Sequence, residues 1–327
     1  MSDSGNKNIS LFTTIAGLAL AAVLALADLS IGDMHISIFS PGGTGAAVLL
    51  RLRVPRVITA ILAGASLALS GLQMQSIFRN PLTDPHIMGI SSGASLGAAI
   101  AIIASAGAAT AVTTASTVIA ALSGAAASAA VVIGVSRKVN SSSTLLIFGV
   151  MLGFIFSAAT SVLAFSASEH SLKMFYNWSS GSFSANTFTG TACMGAALLI
   201  GTATAAWNSR GLDIILFGDE YATLCGADAR RIRARAMAGC CLMTGIATAF
   251  CGPLGFVGIV SPHIARWITG TSVHRRIIPA AIVTGIAISL CADIITQLSH
   301  AAVPVGSAMA LIGIPVILFI LFKSKDA

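Results

Sequence analysis

The chain has 327 residues, of which 56% are hydrophobic and only 9% charged, with a mean hydropathy of +0.92 and a formal net charge of +7. A soluble domain carries charge on about a quarter of its positions, so this composition excludes an ordinary water-soluble protein and makes the bilayer the solvent. Function is to be sought in what crosses or docks to a membrane, with lipid as a partner and no nucleic acid.

Between Ile87 and Ser136 fifty residues run without an Asp, Glu, Lys or Arg, room for two bilayer-spanning helices of about 20 residues each and a tight turn. Turn signals and charges cut the chain into ten candidate spans: 9–29, 57–78, 88–108, 111–136, 143–166, 189–208, 236–256, 258–268 (short), 277–297 and 305–322. Backbone amides left unpaired in hydrocarbon are too costly for any other element, and the alternation of a membrane β-barrel is absent. The expected fold class is all-α and polytopic.

The first apolar segment is read as a retained helix rather than a cleaved signal, since Lys7 is the only basic residue before it and no convincing small-residue cleavage site follows. With a cytoplasmic amino terminus, ten spans place Lys7, Arg79, Arg137, Lys138, Arg210, Arg230, Arg231, Arg233, Arg235, Arg266, Arg275, Arg276, Lys323 and Lys325 inside, fourteen of the eighteen basic residues, with the carboxyl terminus also inside. Three of the four exceptions, Arg51, Arg53 and Arg56, are packed just before the second span. They read either as snorkelling interfacial anchors or as a docking patch for an acidic partner, which arginine suits through bidentate pairing with carboxylates. Pro55 favours the second reading, because it fits the first turn of the following helix and fixes the arginines at its mouth.

Gly89, Gly93 and Gly97 repeat at four-residue spacing and continue through Ala101 and Ser105, and Gly149, Gly153 and Ser157 do the same. Such faces let helix backbones approach closely in lipid and are read as structural. Two proline-containing interruptions resemble each other, 80–86 and 252–263, a pointer to two halves of inverted topology with five spans each. His86 and His263 each follow a proline and are read as satisfying local hydrogen bonds, with no second ligand at metal spacing.

The longest polar interruption, 208–235, predicts two short helices, Asp219–Leu224 and Asp228–Arg235, broken at Gly226 and each opening on an acidic residue at the end the helix dipole favours. A compact helical elbow of this kind suits insertion into a partner's groove; its bland alternative is a solvated loop. Six cysteines (Cys193, Cys225, Cys240, Cys241, Cys251 and Cys291) show no C-x-x-C spacing and point to neither zinc nor disulfides. Asp293 is the one acidic residue well inside a predicted span, a candidate intramembrane polar site or a polar contact between helices. No G-x-x-x-x-G-K-[ST] occurs and no nucleophile with a base stands out, so the chain is read as a non-enzyme that binds no nucleotide itself.

Several motifs occur together in one order. They are Arg51-Leu-Arg-Val-Pro-Arg56, Ala63 to Gly71 with Gln75, Asn80-Pro-Leu82 with Gly89 and Gly93, and Trp178 with Gly181-Ser182. Gly252-Pro253 through His263 to Arg266, His274-Arg-Arg276, Ala292-Asp293, Pro304-Val-Gly306 and Leu311 to Pro315 complete the set. The chain thereby resembles, over nearly its whole length, the membrane subunit of the ABC importers for iron-siderophores, haem and vitamin B12.

The resemblance implies a single transmembrane permease domain over 1–327, with cytoplasmic coupling helices at 212–230. It implies a homodimer with a second permease subunit, two cytoplasmic ABC ATPase subunits that use ATP and Mg, and a periplasmic or lipid-anchored substrate-binding protein, all at the cytoplasmic (inner) membrane. It assigns binding-protein docking to Arg53 and Arg56, beside Arg51. It also assigns ATPase coupling to Asp219, Glu220, Gly226, Ala227, Asp228 and Arg230, and the gate to Asn80, Leu82, Ser142 and Ser143. Gln297 and Val303 stand where family members often carry an arginine and a glutamate, which puts a third arginine contact in doubt. The implied cargo is an iron chelate, ferric siderophore or haem, with cobalamin as the alternative in the same family. Two readings from other classes stay open: an ion-coupled secondary carrier, motivated by Asp293 and the broken spans, and a non-transporting scaffold or sensor.

Overall fold

The computed structural model describes residues 2–32, 43–104, 114–139, 141–184 and 186–323; Ser105 and Lys325, named above, lie outside them. Among the described residues every regular element is helical. In order they are α1 (Ser2–Ser30), α2 (Gly43–Val48), a π turn Leu49–Arg53 leading into α3 (Val54–Phe78), a 3-10 turn Pro85–Met88, α4 (Ile90–Ala104), α5 (Thr114–Ser136), α6 (Ser142–Phe165) and α7 (Glu169–Ser179). There follow α8 (Phe188–Ile215), α9 (Asp219–Leu224), α10 (Ala229–Cys251), α11 (Val257–Thr269), α12 (His274–Leu298) and α13 (Val305–Lys323).

Ten of these coincide with the ten expected spans: α1, α3 to α6, α8 and α10 to α13. Seven are long and apolar enough to cross a bilayer by length and composition, whereas the apolar stretches of α4, α11 and α13 are shorter. One boundary differs from expectation. The second short helix of the elbow is not a separate element but the first two turns of α10, because Asp228 caps it, its Oδ1 accepting from the Arg231 N–H at 3.1 Å, and no proline follows before Pro253.

α3 is the central post. Twenty of its 25 residues are buried, and α8, α10, α11 and α12 pack around it. α6 is the opposite: only Ser142, Leu145 and Gly149 are buried, while Phe154, Ile155, Val162 and Phe165 stand out from the bundle. A helix that is apolar all round and yet exposed fits lipid or a partner subunit as its surroundings. α4 and α5 meet through the small-residue face read from the sequence. A Cβ on Gly93 would come within 2.8 Å of the Gly124 carbonyl oxygen, so the two backbones touch and no larger residue fits there.

The two proline interruptions meet each other. His86 Nε2 bonds the Leu254 carbonyl, His263 Nε2 lies 3.0 Å from the Pro81 carbonyl, and a Cβ on Gly258 would lie 2.8 Å from the Pro85 ring. Both histidines satisfy backbone carbonyls, but across the two interruptions rather than locally as expected. Each interruption starts after the second span of its half: 80–86 lies between α3 and α4, whereas 252–263 is irregular only as far as Phe256 and its remainder forms the first turns of α11, a short helix of 13 residues. Irregular backbone at such a depth is tolerated where protein covers it, and here each interruption covers the other.

Three further fragments converge at the Cys251 end of α10. The Ser182 N–H donates to the Cys251 carbonyl at 2.9 Å, the Gly306 N–H donates to the Ser180 carbonyl at 3.2 Å, and Gly252 packs under the Trp178 carbonyl. Motif pieces far apart in the chain are thus brought together, two of these contacts being main-chain bonds.

Candidate functional site

Polar chemistry concentrates at the two ends of the bundle. At one end, α8 stops at Ile215, α9 runs over six residues, Gly226 turns the chain, and α10 leaves from Asp228. Gly226 holds φ +72°, a left-handed conformation that a β-branched residue adopts only with strain. Asp219, Glu220, Ala227, Asp228 and Arg230 line one recess of about 490 Å³ together with Thr223, Ala229 and Arg233. Five of the six expected coupling residues are therefore neighbours, with Gly226 as the exposed turn that brings them round. Arg231 pairs with Asp228 at 2.9 Å, both well exposed, and the Arg235 guanidinium lies 5.2 Å from the centre of the Trp207 ring.

Arg233 is different from its neighbours. Its side chain is only 2% exposed, and its Nη1 donates to Asp219 Oδ2 at 2.7 Å and to Ser142 Oγ at 2.9 Å. The sequence reading grouped it with the other arginines of the elbow. The signal for its burial is periodic: Ala229, Ile232, Ala236, Met237 and Cys240 are the inward face of α10, and Arg233 falls on that stripe.

The expected gate residues occupy two places. Asn80 Oδ1 accepts from the Leu82 N–H at 3.0 Å, with Leu82 exposed. Asn80 also lines a cavity of about 410 Å³ with Gln75, Arg79, His263, Arg266 and His274. Ser142 is buried against Arg233 at the start of α6, and Ser143 beside it is exposed. Close to the first group, a chain of bonds that the sequence did not announce ties three helices: Asp213 Oδ1 accepts from the His274 backbone N–H (2.9 Å) and lies 2.6 Å from its ring Nδ1, and the His274 Nε2 lies 2.6 Å from Ser76 Oγ.

At the opposite end the arginines expected to face a partner are unequal. Arg51 is exposed. Arg53 is buried, its Nη1 donating to the carbonyls of Leu29 and Ser30 at 2.9 and 3.4 Å, so it caps the last turn of α1, where the helix dipole favours a cation. Arg56 is 21% exposed and forks onto Asp293, which is fully buried, through Nε (2.8 Å) and Nη2 (2.7 Å). Asp293 is therefore a polar contact between α12 and α3. Gln297 joins the cluster, donating to Asp28 of α1 and, at 3.5 Å, to Asp293. The departure at position 297 thus has a local role, holding a second carboxylate beside the first.

A helical bundle with seven helices long and apolar enough to cross a bilayer, a folded polar elbow at one end and Arg51, Arg53 and Arg56 at the other has the make-up of a membrane permease. The match to known proteins is specific: residues 13–323 fit the FecCD transport family, and the chain belongs to that family. It is 30% identical over 318 residues to the hemin transport system permease protein HmuU of Yersinia pestis, covering 94% of this chain and 95% of that protein. It is 32% identical over 312 residues to the vitamin B12 import system permease protein BtuC of Klebsiella pneumoniae, covering 94% and 92%. A solved structure described as an inward-facing metal-chelate type ABC transporter superposes with a TM-score of 0.86 at 27% identity, covering 95% of this chain and 98% of the other. The chain is accordingly the permease subunit of an ABC importer, a multi-pass membrane protein and not an enzyme, with ATP hydrolysis residing in a separate subunit.

Proposed function

We propose that this chain is the permease half of an importer carrying an iron chelate, a ferric siderophore or haem, across the cytoplasmic membrane. Two copies form the pathway, two ATPase subunits bind ATP and Mg and seat on the elbows, and an external binding protein docks over the guanidinium ends. Both termini face the cytoplasm, and 1–327 acts as one membrane domain with 212–230 as its coupling segment. Two-fold pairing would present two cationic patches to the two lobes of one binding protein. Transport is then a shift between inward- and outward-facing populations, biased by partners and nucleotide, with no covalent step in this chain.

What carries this reading is the elbow, whose recess gathers Asp219, Glu220, Asp228 and Arg230 beside a left-handed glycine turn. The iron-chelate assignment is supported by the hemin relative and the metal-chelate neighbour; the B12 relative supports cobalamin as the second reading. The ion-coupled carrier loses its motivation, because Asp293 is committed to Arg56 on both oxygens. Proteoliposomes holding this chain with its ATPase and binding protein should take up ferric siderophore or haem only with ATP. Uptake of cobalamin alone would move the cargo to the second reading, and uptake that survives without the ATPase but collapses with the ion gradient would overturn the importer reading.

A further inference from the structure

We propose that Arg233 is a positioning residue that locks the ATPase-docking helix α9 to the start of α6, so that the elbow and the gate serine move as one body. The inference rests on the importer reading above. Arg233 sits in the second turn of α10, and one of its nitrogens is shared between two other elements, Asp219 opening α9 and Ser142 opening α6. Three helix starts, residues 142, 219 and 229, are thereby joined through one guanidinium.

The electrostatics make this joint stiff. A helix amino terminus carries positive partial charge, so an arginine among three of them stands on the unfavourable side of every dipole. Burial adds a desolvation cost that only a well-placed counter-charge offsets. Asp219 supplies that charge, and it stands on the partner-facing element, 32% exposed, while Arg233 is closed in. If α9 were displaced alone, Arg233 would lose the Asp219 counter-charge while staying enclosed. The lower-energy path is for α9, the start of α10 and Ser142 to shift together. The direct route from elbow to gate is therefore this side-chain bridge, in addition to the backbone turn at Gly226.

The test uses the assembled complex in proteoliposomes and reads ATP hydrolysed per chelate imported. Arg233→Met keeps volume and removes the charge; Arg233→Lys keeps charge with one compact donor group; Ser142→Ala cuts only the gate branch. Loss of a linkage of typical allosteric strength should raise the ratio about tenfold in Arg233→Met. Arg233→Lys should fall between wild type and Arg233→Met, and Ser142→Ala should raise the ratio less than Arg233→Met. A second readout places spin labels on the exposed native Cys225 and on Thr144→Cys, in a Cys193→Ser, Cys291→Ser background. On nucleotide addition the label distance should stay single in wild type and broaden in Arg233→Met. Unchanged ratios in Arg233→Lys and Ser142→Ala, or a label distance indifferent to Arg233, would overturn the inference, even if Arg233→Met fails to fold. Absence of import by the wild type would instead sink the importer reading, and the label distances would still decide the linkage.

Discussion

The two ends of the bundle each hold one buried arginine–carboxylate pair, built the opposite way round. At the α12 end the carboxylate of Asp293 is fully enclosed and the Arg56 guanidinium reaches the surface at 21% exposure. At the elbow the guanidinium of Arg233 is enclosed and the Asp219 carboxylate is the 32%-exposed member. The more exposed member is a cation at one end and an anion at the other, each steadied by an enclosed counter-charge. Under the proposed docking, Arg56 and Asp219 would meet a partner at lower ordering cost than a free surface side chain.

The comparison can be broken by removing one member at a time. Deleting the exposed member strands the buried one, so Arg56→Ala and Asp219→Ala should each cost about 3–5 kcal/mol of folding stability. Asp293→Ala should cost less than Arg56→Ala, because the freed guanidinium can swing to solvent. Thermal unfolding in detergent checks the order, and a reversed order would mean that burial in the isolated chain misstates the pairs.

Gly226→Val comes next. Forcing a β-branched residue to φ +72° costs about 1–3 kcal/mol locally, which should leave the spans inserted but raise ATP hydrolysed per chelate several-fold. An unchanged ratio would make the elbow a passive tether. The smallest effect is expected at Arg51, exposed and without a structural partner to lose in the described contacts. Arg51→Glu should weaken binding-protein docking by about fivefold or less, as suits a rim charge worth roughly 0–1 kcal/mol, with the loss shrinking at high salt. Titration of binding protein into proteoliposomes at two ionic strengths reads it.

The membrane fold was legible because hydrocarbon leaves few options: charge-poor stretches became α1, α3 to α6, α8 and α10 to α13, and the Gly93 face became a backbone contact. The elbow was legible from Asp219, Gly226 and Asp228, since caps and glycine turns are local signals. Its continuation into α10 was missed because the four arginines of the short helix Asp228–Arg235 set it apart from the apolar span expected from 236, although Arg233 continues the buried stripe of α10. The pairing of Arg56 with Asp293, 237 residues away, and the bond chain from Asp213 through His274 to Ser76 had no local signal, because chain order fixes neither which spans are neighbours nor their rotation about their axes. The unequal burial of Arg51, Arg53 and Arg56 was hidden for the same reason: helical rotation sends one guanidinium into the surface, one under α1 and one onto α12.

The account stands on the two ends lying across the bilayer from each other, and sidedness can be read with an impermeant thiol reagent on spheroplasts. In an Arg51→Cys, Cys193→Ser, Cys225→Ser variant the new thiol should react on intact membranes. In the Cys193→Ser variant that keeps Cys225 in the elbow, that cysteine should react only after permeabilisation. Reaction of both from the same side would contradict the account.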